Sequence, residues 1–469
     1  MRLYLCAIIT LLEMFDTSFI SAIIGKFMEI FTISYAQLSD LYISLALGAA
    51  ISLPLTKYCY QAFNLKQLYK FLIIILMVNF TWAFFTSNWS IFCLLRAVQG
   101  FCLTLLYSLS FLDVVTTSDN KDNDINLING ISILGLISGP ALSGYITLIG
   151  WNYIFILFNL ILSLVLVINH HSDFTQETRL KLLPNPDPGA AEADTTATTS
   201  REVQLPPRIL NQDESPTTKI SVADSLEYLS FILVITLTSL VVDNLLSPKY
   251  LSIVVVASLF LIFKYKKFPV NFIFSKEIFN KSLGAVVIIH ILCRFSIIAL
   301  IPLLTSILYQ AQNYSTLKIS LLLTLSASAA LIAKIVYRNL AVVRRQISGV
   351  FFIYAIVLSF LALSPFANLK LLSLWLFLYG FFSSIIFNYL NSCIFYRQLE
   401  SSNKDLAVVL TLLQMLLYGL CTTIVFKLFA YLALTHTSAT SLAIVILFMV
   451  YSTLLALFIY QKNFGRGLV

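Results

Sequence analysis

The stretch Leu11-Leu12-Glu13-Met14-Phe15-Asp16-Thr17-Ser18 sets two carboxylates inside an apolar run that extends from about Leu3 to Ile24. A run of about 20 such residues is long enough to cross a bilayer as a helix. At helical pitch Glu13 and Asp16 are i and i+3, about 4.5 Å apart along the axis and on one face. Charges at that depth belong on the face turned toward the protein interior or a water-lined cavity. The rest of the chain repeats the apolar theme. It is 469 residues long, 59% hydrophobic and only 11% charged, against about 25% charged residues in a soluble domain. The reading is an all-α, polytopic membrane protein embedded in the lipid bilayer.

Apolar runs of about 17 to 25 residues predict spans near 3–24, 38–56, 68–87, 90–112, 126–148 and 151–169. Residues 171–223 then turn polar, as in Pro184-Asn185-Pro186-Asp187-Pro188-Gly189. Such a composition cannot bury enough apolar surface to fold alone and predicts a disordered linker. Eight further runs follow near 226–243, 249–264, 282–306, 317–335, 347–364, 370–393, 406–427 and 438–460, for fourteen transmembrane helices in all. The domain division is 1–170, a linker at 171–223, a two-helix insert at 224–268, and 269–469. With the N-terminus inside, the basic residues on the opposite side are Lys26, Lys249, Lys318 and Lys370. Arg96, Arg294 and Lys427 lie within spans, and the rest of the 30 Lys and Arg fall on the side of the termini and the linker. The positive-inside rule therefore predicts a plasma (inner) membrane protein with both termini and the linker cytoplasmic.

The net charge of +8 is scattered between spans instead of gathered into one basic face, which argues against a nucleic-acid partner. The seven cysteines show no CxxC spacing and read as small buried hydrophobes, and all but Cys59 fall within the predicted spans. His170-His171 has no ligand-spaced acid or cysteine, so no metal is expected. No cofactor is expected either, and the absence of a GxxxxGK[ST] loop removes ATP hydrolysis by this chain.

Arg96 sits in the fourth span, in Leu94-Leu95-Arg96-Ala97-Val98-Gln99-Gly100. An intramembrane arginine needs an anionic partner or water, and Asp16 or Glu13 is the natural one. Arg96 can neutralise one of the two acids, which leaves the other as a candidate for carrying a proton. The fifth span holds Gly135, Gly139, Pro140 and Gly144, residues that permit close helix approach and a bend, as a gate requires. In the ninth span His290 and Arg294 are i and i+4 on one face, placed to contact an anionic substrate or relay protons.

Three of these stretches together resemble the fourteen-helix drug:proton antiporters of the major facilitator superfamily. They are Phe15-Asp16-Thr17-Ser18, Arg96-Ala97-Val98-Gln99-Gly100, and Gly135-Leu136-Ile137-Ser138-Gly139-Pro140-Ala141-Leu142-Ser143-Gly144 followed by Trp151-Asn152-Tyr153-Ile154-Phe155. Ala50-Ile51-Ser52-Leu53-Pro54-Leu55-Thr56 is similar to the multidrug exporter branch that works with a periplasmic adaptor. The resemblance implies two six-helix bundles with the two-helix insert between them, alternating access, and proton-driven export of amphipathic compounds. It also implies a periplasmic adaptor and an outer-membrane channel as partners. Asp16 matches the family motif and is the expected coupling residue, with Glu13, which lies outside that motif, as modulator. The loop from Lys57 to Lys66 departs from the family by carrying neither acid nor glycine. Competing readings are a dedicated exporter of a metabolite such as a siderophore, an integral membrane transferase, and a transport-dead sensor. The transferase is disfavoured because the outer loops are short and carry almost no acid besides Glu29.

Overall fold

The computed structural model describes residues 2–117, 121–171, 281–339, 346–363, 368–400 and 421–464. The expected linker and the expected hairpin at 226–264 lie outside them. Among the described residues every regular element is a helix. The first six are α1 (Arg2–Ile30), α2 (Tyr35–Ala62), α3 (Leu65–Phe85), α4 (Trp89–Thr117), α5 (Lys121–Ile149) and α6 (Tyr153–His171). After the undescribed stretch come α7 (Lys281–Ile297), α8 (Leu300–Gln310), α9 (Thr316–Asn339), α10 (Ile347–Leu363) and α11 (Leu369–Glu400). The last two are α12 (Cys421–Ala433) and α13 (Ser438–Phe464). Among the described residues nine segments are long and apolar enough to cross a membrane, and the apolar helices Ile347–Ala362 and Cys421–Ala433 are shorter. With no water in hydrocarbon to satisfy the backbone, helices are the expected solution.

Two local features depart from the sequence expectation. Helix α2 continues to Ala62 and so takes in Cys59, which is buried. Hydropathy marks only the hydrocarbon-facing part of a helix, whereas the backbone ladder runs on into the polar zone. The span expected at 282–306 is broken into α7 and α8 at Ile298 and Ala299. Pro302 has no N–H to offer the carbonyl of Ile298, so the ladder stops there. Tyr379 of α11 compensates by donating its hydroxyl to the freed carbonyls of Ser296 (2.8 Å) and Ile297 (3.0 Å).

Helix α1 packs chiefly on α5, and α2 on α4, while α3 lies against α6. Later in the chain α9 packs on α11, and α13 on α7 and α10. The two sets meet where α5 touches α9 and α1 touches α8. Thr305 donates to the carbonyl of Ser21 at 2.8 Å, Gln310 to that of Gly25 at 3.3 Å, and Tyr309 to the carboxylate of Glu29 at 2.5 Å. Tyr42 stacks on Phe426 and Tyr35 meets Phe429 edge-on. All of these contacts lie toward the Ile30 end of α1.

The later set repeats the earlier one. Among the described residues the non-glycine positions with positive φ are Thr32 and Asn313, both at 51°, and they occupy the turns after α1 and after α8. Gly100 of α4 presses on the backbone of α2, where an added Cβ would stand 2.2 Å from the Leu45 carbonyl oxygen. Gly380 of α11 presses on α9 in the same way, 2.1 Å from the Ser326 carbonyl oxygen. The shift that carries Leu45 to Ser326 and Thr32 to Asn313 also carries Gly25 to Ser306. Gly25 and Ser306 touch, the Cβ position of the glycine lying 3.1 Å from the serine Cα. Two repeats related by an axis would place such a self-matching contact beside that axis.

Candidate functional site

Asp16 and Arg96 form an ion pair across α1 and α4, 1% and 3% exposed. Arg96 Nη1 donates to both carboxylate oxygens, at 3.0 and 2.7 Å, and to Gln99 Oε1 at 2.7 Å. Arg96 Nε and Gln99 Nε2 are buried without partners. One guanidinium nitrogen thus serves three acceptors while two neighbouring donors stand unused. Asn79 of α3 braces this stretch of α4 by donating to the Leu95 carbonyl at 2.9 Å. Breaking a buried pair of this kind strands a charge and costs far more than the pair itself contributes.

Glu13, one turn nearer the Arg2 end, is half-buried. Its backbone carbonyl accepts the Thr17 hydroxyl at 3.0 Å, but its carboxylate accepts no hydrogen bond and joins no ion pair among the described residues. Asp16, and Tyr107 of α4, lie within electrostatic range of it. The Tyr107 ring stacks on Phe111 at 5.8 Å. Arg96 therefore chooses Asp16 of the two acids.

The glycine positions of α5 lie against α1 and α9. A Cβ at Gly135 would stand 2.6 Å from the Leu11 carbonyl oxygen, and one at Gly139 would stand 2.0 Å from Ser18 Oγ and 2.7 Å from the Phe15 carbonyl oxygen. At Gly144 it would meet Leu317 Cα of α9 at 2.9 Å. Gly130 differs, with nothing within 4 Å of its Cβ position. Next to Gly144 a serine of the other repeat enters the α5 ladder. Ser320 Oγ accepts the Gly144 N–H at 3.1 Å and donates to the Pro140 carbonyl. Its two partners, Gly144 N–H and the Pro140 carbonyl, lie four residues apart, one turn of the α5 helix. Thr147 and Thr316 share a hydrogen bond of 2.9 Å one turn further on.

In α7 the Arg294 Nε donates to His290 Nε2 at 2.9 Å, so the two meet as their i, i+4 spacing predicts. The guanidinium lies 5.3 Å from the centre of the Phe387 ring of α11. His290 is 3% exposed, and its Nδ1 has no partner. Because Nε2 accepts, a neutral imidazole carries its hydrogen on Nδ1.

Sequence reasoning missed Gln99 and Ser320 as participants. The signal for Gln99 was its place one turn beyond Arg96; Ser320 carries no signal, since its partners are residues of α5. Among the described residues no group of three or more His, Cys, Asp or Glu side chains is placed to hold a metal ion.

Comparison with known proteins now has a geometry to meet. Sequence comparison with curated proteins gives no match. The fold is similar to that of the nucleoside transporter NupG, at 13% identity and a TM-score of 0.61, over 98% of each chain. It is similar as well to the human organic anion transporter MFSD10 (TETRAN), at 13% identity and a TM-score of 0.60, over 98% of each chain. A partially occluded inward-open form of the xylose transporter XylE from E. coli aligns at 12% identity and a TM-score of 0.59, again over 98% of each chain. Identities this low speak to the fold alone. The family model of the Major Facilitator Superfamily matches residues 6–398, and the chain belongs to that superfamily of membrane transporters.

Proposed function

We propose that this transporter is a proton-driven exporter of amphipathic organic compounds working by alternating access. The observation that carries the reading is the buried Asp16–Arg96–Gln99 centre in a helix that the glycine seam of α5 grips. Asp16 is the coupling residue. While ionised it holds Arg96; a proton on its carboxylate removes that charge and leaves Arg96 to Gln99 Oε1 and to other anions. The charge of the site then differs between its two protonation states, and a conformational equilibrium that senses the charge is thereby linked to the proton. Glu13 modulates this exchange through its proximity to Asp16. Gly135, Gly139, Pro140 and Gly144 form the gate by close packing. Both termini are cytoplasmic, so the halves are shut at the outer side and the cavity faces inward.

The test uses the purified full chain in vesicles with an imposed pH gradient and a panel of fluorescent amphipathic dyes. Asp16→Asn abolishes gradient-driven efflux and retains dye binding, and full gradient-dependent efflux by that variant overturns the assignment. Orientation is checked in intact cells, where an impermeant thiol reagent labels a cysteine replacing Thr435 and spares one replacing Asn64; the reverse pattern inverts the topology. A dedicated metabolite exporter, such as a siderophore exporter, uses the same machinery with a narrower pocket. A periplasmic adaptor with an outer-membrane channel is the partner set proposed for either cargo.

A further inference from the structure

The repeat relation has a chemical consequence at the centre of the molecule. The register that pairs Gly25 with Ser306 pairs Glu13 with Arg294, since each lies twelve residues before its contact residue. It also brings Tyr107 onto Phe387, because Gly100 corresponds to Gly380. Each set thus pairs one charged residue with one aromatic residue at corresponding positions. The first has Glu13 near Tyr107, and the second has the Arg294 guanidinium 5.3 Å from the Phe387 ring centre. The charges are opposite.

Position follows from the same register. Gly25 and Ser306 touch; twelve residues of α1 rise about 18 Å from Glu13 to Gly25, and the matching stretch from Arg294 to Ser306 crosses the break between α7 and α8. Glu13 and Arg294 therefore hold corresponding positions in the two sets of helices, on the Arg2 side of the seal that joins α1 to α8. Superfamily transporters bind substrate near mid-membrane between their repeats. Asp16 is already matched by Arg96 and contributes no net charge there. Two groups are left to interact with something else: the Glu13 carboxylate, which has no partner among the described residues, and the His290 Nδ1 hydrogen, which is buried without an acceptor. The first is a carboxyl group that can pair with a cation; the second is a donor fixed beside a guanidinium.

We infer that Glu13 and the Arg294–His290 pair are the two poles of a binding site for a zwitterionic organic molecule, with its ammonium on Glu13 and its carboxylate or other anion on Arg294 and His290 Nδ1. Tyr107 and Phe387 flank the two poles and suit an apolar or aromatic body between them. A molecule with only one of the charges engages one pole and forgoes the other, which costs affinity. The inference rests on the chain being a transporter whose substrate enters between the repeats. It is independent of proton coupling.

The experiment measures equilibrium binding to the purified full chain in lipid nanodiscs, without a pH gradient. The probes are phenylalanine, diphenylalanine and triphenylalanine, three zwitterions of increasing charge separation, each with its C-terminal amide (cation) and its N-acetyl form (anion). At least one zwitterion binds roughly 10-fold or more tighter than both of its singly charged derivatives. In Glu13→Gln that preference over the N-acetyl form disappears, and in Arg294→Gln the preference over the amide disappears. Arg294→Lys, which keeps the charge, retains the preference and serves if Arg294→Gln does not fold. Equal binding of zwitterions and derivatives at all three lengths overturns the inference, as does a preference that survives Glu13→Gln. Gradient-driven dye efflux without any zwitterion preference defeats this inference alone. A zwitterion preference without gradient-driven efflux defeats the proton-driven reading and leaves this one standing.

Discussion

The two sides of α1 solve different problems with residues one position apart. Toward α5 it presents backbone: the Leu11 and Phe15 carbonyls lie where a Cβ on Gly135 or Gly139 would be. Toward α4 it presents charge, with Asp16 held by Arg96 and Glu13 near Tyr107. Close packing on one side fixes where the helix sits, and the electrostatics on the other side then acts over a defined distance. The difference teaches that the glycines act by what they lack, whereas the charged groups act by what they hold. The largest effect should therefore come from filling the first side. Gly139→Leu drives a side chain into the Ser18 hydroxyl and into the α1 backbone at Phe15 and Phe19, and that backbone cannot yield without parting the helices. A loss of stability upwards of about 5 kcal/mol follows, in the range reserved for gross overpacking. Thermal unfolding in detergent checks it, and a variant as stable as the parent would show that the two helices are not held in contact. Gly130→Ala, at a position open to 4 Å, is the matched control and costs nothing measurable.

On the charged side the effect is large but conditional. Arg96→Ala leaves Asp16 buried with no counter-charge and destabilises by about 3–5 kcal/mol. Arg96→Met combined with Asp16→Asn removes both charges and costs less than Arg96→Ala alone, because a buried pair contributes little beyond its own desolvation penalty. Double-mutant stability measurements in detergent separate these outcomes. Additive losses would mean that the two side chains do not interact.

Membrane location and an all-helical fold were legible from apolar run lengths alone, because the cost of unpaired backbone in lipid leaves few alternatives. The sequence also told that Arg96 needs an acid. It did not tell which, since Glu13 and Asp16 share a face; only the register of α4 against α1 selects Asp16. The glycines of α5 announced close packing in general, and which carbonyl each one meets depends on the partner helix. The break before Pro302 was written in the sequence and overlooked, because a hydropathy count is blind to the missing N–H. Ser320 was illegible for a stronger reason. Its role lies in the ladder of a helix far away in sequence, and an isolated serine in an apolar span looks like any other.

That serine gives an effect of intermediate size at the seam between the repeats. Ser320→Ala removes the side chain that stands between Gly144 N–H and the Pro140 carbonyl. Both groups stay within the α5 helix when this link is lost, so the net cost is that of one hydrogen-bonded link, about 1–2 kcal/mol. It falls entirely on the closed arrangement of this end, since Ser320 reaches α5 only when the two repeats are together there. Disulfide formation between cysteines replacing Ser21 and Thr305, whose parent residues are bonded at 2.8 Å, reads the closed population. The rate falls about 5- to 30-fold in Ser320→Ala if the seam acts as a clasp, and an unchanged rate would make Ser320 a passive neighbour.

The smallest effect belongs to the rim of the same seal, where Tyr309 donates to the exposed carboxylate of Glu29. Tyr309→Phe deletes the hydroxyl and keeps the ring, whose Cγ lies 3.1 Å from the Cβ position of Gly25. Water reaches Glu29 and replaces the lost donor, so the closed arrangement loses at most about 1 kcal/mol. The Ser21/Thr305 cross-linking rate then falls no more than about 5-fold, less than in Ser320→Ala. Removing the ring reverses that order. Tyr309→Ala keeps the Cβ that meets Gly25 but takes away the ring beyond it, whose Cγ lies 3.1 Å from the Gly25 Cβ position, and lowers the rate further than Ser320→Ala. If Tyr309→Phe instead matched Tyr309→Ala, the seal would depend on the rim hydrogen bond. The principle seen along α1, that contact with a glycine outweighs an exposed polar link, would then stop at the edge of the membrane.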